Sequence, residues 1–336
     1  MRAARALAVS GRWGEAAAAY VEIAALPELS PSAGQHALAA AGDALRRDDR
    51  PAAAAKHLAA AVRMDPSGEA AGMLRVQLAG VLQQAGQLDV AADIAREGLS
   101  QAAGPVAQAI ARDTLIGSLV VLGRLDAAWG LLDVLTETAP ESMRAAVWFR
   151  QGSRRRMAGD LAGADARYAQ AAAAMAAHPG AAAAALMGRA ETALFAGQPE
   201  LAIAHYTHAG ELWTAAGRRA GLYRSEAGLI RAMLSAGRLA LSAGVVRPIA
   251  YARQRQLPLL LAHLLLARGA AEGSDRDLSE AVALAERAGA VFLEGRARLI
   301  RARRGGHYGD SAHVAHLLAP DAAWMAVLSA GAPMPW

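Results

Sequence analysis

Apolar and polar positions along this chain follow helical spacing, and the pattern restarts at a nearly fixed interval. A turn residue recurs at Gly11, Asp49, Gly86, Gly123, Gly159, Gly197 and Gly237, 36 to 40 residues apart. A related phrase begins at each one: GRWGEAAAAY, DRPAAAAKHL, GQLDVAADIA, GRLDAAWGLL, GDLAGADARY, GQPELAIAHY and GRLALSAGVV. Each phrase places an apolar residue or proline two positions after the turn. A small residue stands three further on, at Ala16, Ala54, Ala91, Ala128, Ala164, Ala202 and Ser242. Repetition at this period predicts an all-α chain of stacked helical hairpins.

The chemistry of the phrase supports that assignment. Glycine ends the first helix of each hairpin in a left-handed conformation at little steric cost. Pro51 and Pro199 stand near the start of the second helix, where a missing N–H is harmless. The alanine one turn into helix B lets two backbones approach closely. A larger residue four positions on (Tyr20, Leu58, Leu132, Tyr168 or Tyr206) fills the next layer. Pro27, Pro66, Pro140 and Pro179 are expected to close helix B. One hairpin cannot bury both faces, but seven in a row can.

At these residues the chain resembles the tetratricopeptide repeat family. The unit at 145–179 matches best, through Trp148, Gly152, Gly159, Ala164, Tyr168, Ala171 and Pro179; the unit at 38–66 matches through Gly42, Ala54, Ala61 and Pro66. The resemblance covers residues 1–256 and implies a right-handed α-solenoid with a concave ligand-binding face. The period is longer than the family's, and Ala79, Ile116 and Ala190 replace the helix A glycine. Pro248 predicts a break near 247–257. Beyond it, residues 257–336 are expected to continue the same solenoid: 257–270 paired with 278–289, then 291–304, then short helices at 310–318 and 321–330. LSEAVALAERAGAVFLEGRARLIRA is similar to the closing helices of bacterial ATPase regulators of the LuxR and MalT type. The P-loop and DNA-binding helix-turn-helix that those regulators need are not visible.

Composition narrows the function classes. Of 336 residues 54% are hydrophobic but only 4% aromatic, as expected of closely packed Ala- and Leu-rich helices. There is no cysteine, which excludes disulfides, thiolate metal sites and cysteine nucleophiles and makes the cytoplasm the expected compartment. The apolar stretch before Ser10 is too short for a secretory signal. LPLLLAHLLLA at 257–267 spans about half a bilayer and is expected to be a buried helix, with no membrane span. Asparagine is absent and Lys56 is the sole lysine. The family's carboxylate clamp and its asparagine-held peptide backbone therefore cannot be carried over, and no P-loop can form elsewhere.

Charge points in the same direction. The net charge is +5, with 12 basic and 15 acidic residues in 1–140 against 23 and 15 in 141–336. The arginines at 150, 154–156, 218, 219, 296, 298, 301, 303 and 304 could meet phosphates. Lacking interleaved aromatics and asparagine, they are expected on solvated helix faces, and nucleic acid is disfavoured. His205 with His208, and His307, Asp310, His313 and His316, are the nearest approach to a metal or catalytic cluster. No third ligand joins the first pair, so neither metal nor cofactor is expected.

Projecting the repeat register onto the concave side of helix A predicts a groove. Its lining would be His36, Asp43 and Arg46; Met73, Val76 and Gln83; Asp113; Phe149, Ser153 and Arg156; Met187, Glu191 and Leu194; Arg224 and Arg231. The function expected is a non-catalytic scaffold or adaptor binding a protein or peptide segment, acidic or carboxylate-bearing because arginine must supply the donors. A second reading is a ligand-sensing module for a separate regulator. A third is an enzyme with a His, Asp, Glu and Arg site inside the superhelix. The short first helix leaves an N-terminal edge that could pack on a second copy. Within RQGSRRRMAGD (150–160) consecutive residues turn about 100° each. Only Arg156 should face the groove, and Arg155 should be partly buried against Asp126 or Asp160.

Overall fold

The computed structural model describes residues 1–68, 70–238, 242–305 and 311–329, and nineteen α-helices fall among them. They run as successive hairpins. Units one to three pair α1 (Arg2–Val9) with α2 (Trp13–Ala24), α3 (Pro31–Arg47) with α4 (Pro51–Met64), and α5 (Ala71–Gln84) with α6 (Leu88–Gln101). Units four to six pair α7 (Gly104–Val121) with α8 (Leu125–Thr138), α9 (Arg144–Met157) with α10 (Leu161–Ala174), and α11 (Pro179–Phe195) with α12 (Pro199–Ala215). Then come α13 (Arg219–Ser235), α14 (Val246–Gln254), α15 (Pro258–Glu272), α16 (Asp275–Ala288), α17 (Val291–Gly305), α18 (Ser311–Leu318) and α19 (Ala322–Ser329). No described helix is long and apolar enough to cross a membrane.

The recurring residues do what their positions require. All seven turn residues have positive φ, Asp49 (+54°) included. Ala16, Ala54, Ala91, Ala128, Ala164 and Ala202 are fully buried at the seam between helices. The helix A glycine is a socket for the large residue of helix B. A Cβ on Gly42 would lie 2.6 Å from Leu58, and one on Gly152 would lie 2.9 Å from the Tyr168 ring. Pro27, Pro66 and Pro140 follow the ends of their helices, but Pro179 opens α11 instead of closing α10.

Unit seven departs from the pattern earlier than Pro248 suggests. A 3-10 turn at Ser242–Val245 precedes α14, which runs unbroken through Pro248 because the proline sits in its first turn. α13 packs on α12 and α15, while α14 packs chiefly on α15, so the seventh hairpin is opened.

This opening accompanies a return of the chain onto itself. The turn between α3 and α4 meets the start of α13, where the Asp49 carboxylate accepts a hydrogen bond from the Ala220 N–H at 3.0 Å. The turn after α5, at Gly86, meets Pro258 at the start of α15. The turn after α7, at Gly123, meets Val291 at the start of α17, and Gly159 after α9 meets Ala322 at the start of α19. Units two to five thus support the first helices of the units five places later, and the later part of the superhelix lies against the edge of the earlier part.

Candidate ligand-binding cavity

Between these two layers lies a cavity of about 550 Å³. One wall comes from the first helices of units three to six, through Gln83, Gln84, Gly117, Val121, Phe149, Arg156, Met187 and Glu191. Leu88, Tyr168 and Trp213 add second-helix side chains. The opposite wall comes from the returning layer: Arg218, Arg224, Ala227 and Arg231, then Leu257, Leu260 and His263 on or beside α15, and Arg296 on α17. α19 packs on α9 and α11, where Trp324 meets Phe195 edge to face at 5.2 Å.

Glu191 is the polar centre. It takes a charge-assisted hydrogen bond from Arg231 and one from the Tyr206 hydroxyl at 2.7 Å, and Arg296 stands 3.6 Å from its second oxygen. Burial alone would raise its pKa, but Arg231 and Arg296 hold it well below the usual carboxylate range. Burial pushes the Arg296 guanidinium down to about 10, with Arg156 and Arg231 adding like charge, so it remains protonated at neutral pH. His263 is held well below the ordinary histidine value by burial and by Arg224, Arg231 and Arg296, and it is a neutral imidazole there. Arg156 pairs with Asp321, the fully buried N-cap of α19, at 3.3 Å and lies over the Phe195 ring. Arg224 has an exposed side chain lining the cavity and, among the described residues, no hydrogen-bond or ion-pair partner.

No protein-family model matches the chain, and no curated protein matches it in sequence. Among solved structures, a Rap protein complexed with competence and sporulation factor is similar with a TM-score of 0.60 and 16% identity, over 83% of this chain and 78% of that one. A tetratricopeptide repeat protein from Parabacteroides merdae ATCC 43184 has a TM-score of 0.41 and 16% identity, over 79% of this chain and 98% of that one. The fold is a tetratricopeptide-repeat-like α-solenoid.

Within this solenoid the residues projected onto the concave face divide. Gln83, Phe149, Arg156, Met187, Glu191, Arg224 and Arg231 line the cavity. Ser153 stands behind it, hydrogen-bonded to the Tyr168 hydroxyl at 2.9 Å. Asp113 grips Arg150 at 2.6 Å, and Asp43 pairs with Arg46 and Arg47 at the outer end of α3. Val76 packs with Ala102 and Ala111, and Leu194 with Ala190 and Ala232; both are buried in helix seams. Met73 is half-buried, away from the cavity lining. His36 donates from Nδ1 to the Ser32 carbonyl of its own helix at 2.7 Å.

The groove register does not reach Asp49, Trp213, Arg218, Leu257, Leu260, His263 or Arg296. Trp213 comes from a second helix and Asp49 from a turn, whereas Arg218, Leu257, Leu260, His263 and Arg296 enter because a distant part of the chain returns across the inner face, and no short-range signal marks that return. Arg155 does pair with Asp160, at 2.6 Å, but is exposed, correcting the expectation of partial burial. The pair sits at the outer edge of the turn, with Asp160 also capping Gly163.

Among the described residues no three His, Asp or Glu side chains converge as metal ligands do. His205 is half-buried and His208 exposed, with the ring nitrogen Nε2 of His205 lacking a partner. His313 faces Glu294 at 3.5 Å, and His307, Asp310 and Trp336 lie outside the described residues.

Proposed function

We propose that the protein acts by binding, as a helical-repeat module that takes a short peptide segment into the cavity between its two layers. The construction of that cavity carries the reading. Apolar walls from Met187, Trp213, Leu257 and Leu260 surround a few convergent polar groups, in a volume that suits a ligand of drug or short-peptide size. The solved Rap protein of the same fold was captured in complex with a factor, which supports binding as a use of such a fold. Among the described lining residues no nucleophile is held by a base, and Glu191 is occupied by structural partners.

Affinity selection from a mixed peptide library, read by mass spectrometry, tests this directly. Ala184 lines the cavity, so Ala184→Trp should fill it and abolish retention while the far-ultraviolet dichroism stays helical. Undiminished retention by the filled variant would place binding elsewhere and end the proposal.

The returning layer favours a second reading, as a sensing module. If the ligand bridges α5–α11 and α13–α17, its binding should slow amide exchange in α15, whereas a passive scaffold would show no such change.

A further inference from the structure

We propose that the cavity holds its ligand by a carboxylate seated on Arg224 and Arg296, beside His263; this rests on the reading of the cavity as the binding site.

The charges in the wall do not balance. Asp321 answers Arg156 at 3.3 Å, and Asp49 stands 3.9 Å from Arg218. Glu191 is the one remaining carboxylate in the described lining, and it faces Arg231, Arg296 and Arg224. Arg231 takes its direct hydrogen bond, with Tyr206 on the same oxygen. Arg296 makes only the longer 3.6 Å contact, and its Nε is buried without an acceptor. Arg224 has no partner among the described residues. Two guanidinium groups are therefore left with donors to spare around one space.

Arg296 is a desolvated cation with a buried donor left unmet, which is costly, and an occupant bearing negative charge removes that cost, while Arg224 presents a guanidinium unpaired among the described residues to the same cavity. A guanidinium presents a planar fork that matches a carboxylate. Glu191 stays ionised and answers Arg231, which leaves the charge of Arg224 and Arg296 for an incoming anion, and the apolar remainder of the wall favours a carboxylate on an apolar body over inorganic phosphate. His263, kept neutral, can offer one further hydrogen bond without adding charge. The remaining wall, Met187, Trp213, Leu257 and Leu260, suits an apolar body attached to the carboxylate.

The probes are a mixed library of N-acetylated tetrapeptides as free acids, the same library as C-terminal amides, decanoate and inorganic phosphate. The free acids should be retained at least about tenfold better than the amides. Arg224→Gln should weaken them about 10- to 100-fold, as expected for lost hydrogen bonds to a charged group. Because Arg224 has no partner among the described residues, that variant should keep the parent fold. Arg154→Gln, which breaks an outer pair with Asp133, should leave retention unchanged. Equal retention of acids and amides overturns the carboxylate seat and leaves the peptide reading standing. Decanoate retained alone, and lost in Arg224→Gln, keeps the seat and overturns the peptide reading. Preference for phosphate, retention of no probe, or full affinity in Arg224→Gln overturns the seat.

Discussion

Gly228 has no side chain because the Tyr206 ring occupies its place: a Cβ there would lie 2.2 Å from the ring. Tyr206 is fully buried and bonded to Glu191, so it cannot swing aside. Gly228→Ala should cost about 1–3 kcal/mol of stability in urea denaturation. Gly130, mid-helix in α8 and exposed with nothing within 4 Å, should behave oppositely, and Gly130→Ala should stabilise by about 0.5–1 kcal/mol. Composition alone makes these two glycines equivalent; only their neighbours separate them. His263 gives a residue-scale pH effect. Its folded-state pKa is depressed, so the unfolded chain binds the extra proton first. The stability it contributes is complete above about pH 6.5, the unfolded value, and is lost as pH falls below it. Thermal melts from pH 7.5 to 5 should fall less steeply for His263→Gln than for the parent.

At the scale of an element, the turn between α3 and α4 shows how far the repeat can be trusted. The sequence places a left-handed residue at position 49, and the structure has one, yet aspartate stands where the other six units have glycine. The backbone favours glycine there. Aspartate is explained by its carboxylate, which caps the N-terminus of α13 through Ala220 and accepts from the Tyr251 hydroxyl at 2.8 Å. Arg218, the N-cap residue of α13, supplies no side-chain cap of its own. Asp49→Gly relieves the backbone but removes both bonds, and should destabilise by about 1–3 kcal/mol. A double-mutant cycle with Tyr251→Phe should show clear coupling, and additive effects would deny the contact. Other elements were legible nearly to the residue: the apolar run at 257–267 lies within buried α15, and α16 to α19 fall where periodicity placed them. The misplaced ones have a local cause. Val76 and Leu194 face inward by register, but alanine-rich neighbours approach so closely that the seams cover them.

Across the whole molecule, the decisive contacts join residues far apart in the chain. Asp48 pairs with Arg255 at 2.9 Å, Asp49 holds Ala220 and Tyr251, and Arg156 holds Asp321. Together they bind the later layer to the earlier one beside the cavity. Asp48→Ala combined with Asp49→Gly should speed hydrogen exchange in α13 and α15 while leaving α9 and α10 protected, because opening of the edge is local. Exchange rising uniformly along the chain would mean that the edge contacts do not act as a separate unit.

The sequence by itself determined the hairpins of the first six units, their turns and the buried alanines, and part of the side each helix turns inward. These follow from backbone sterics and helical periodicity, which act over a few residues. Half of the predicted groove, from Gln83 to Arg231, reached the cavity for that reason. Tertiary structure alone decided that a second layer faces the groove, that α15 and α17 supply His263 and Arg296 to it, and that Asp49 is a cap for a helix 171 residues away. Those features depend on the accumulated rotation of successive units and on the opened seventh hairpin. A small change of angle in each unit moves the returning layer by many ångströms, and no local pattern of residues records the sum.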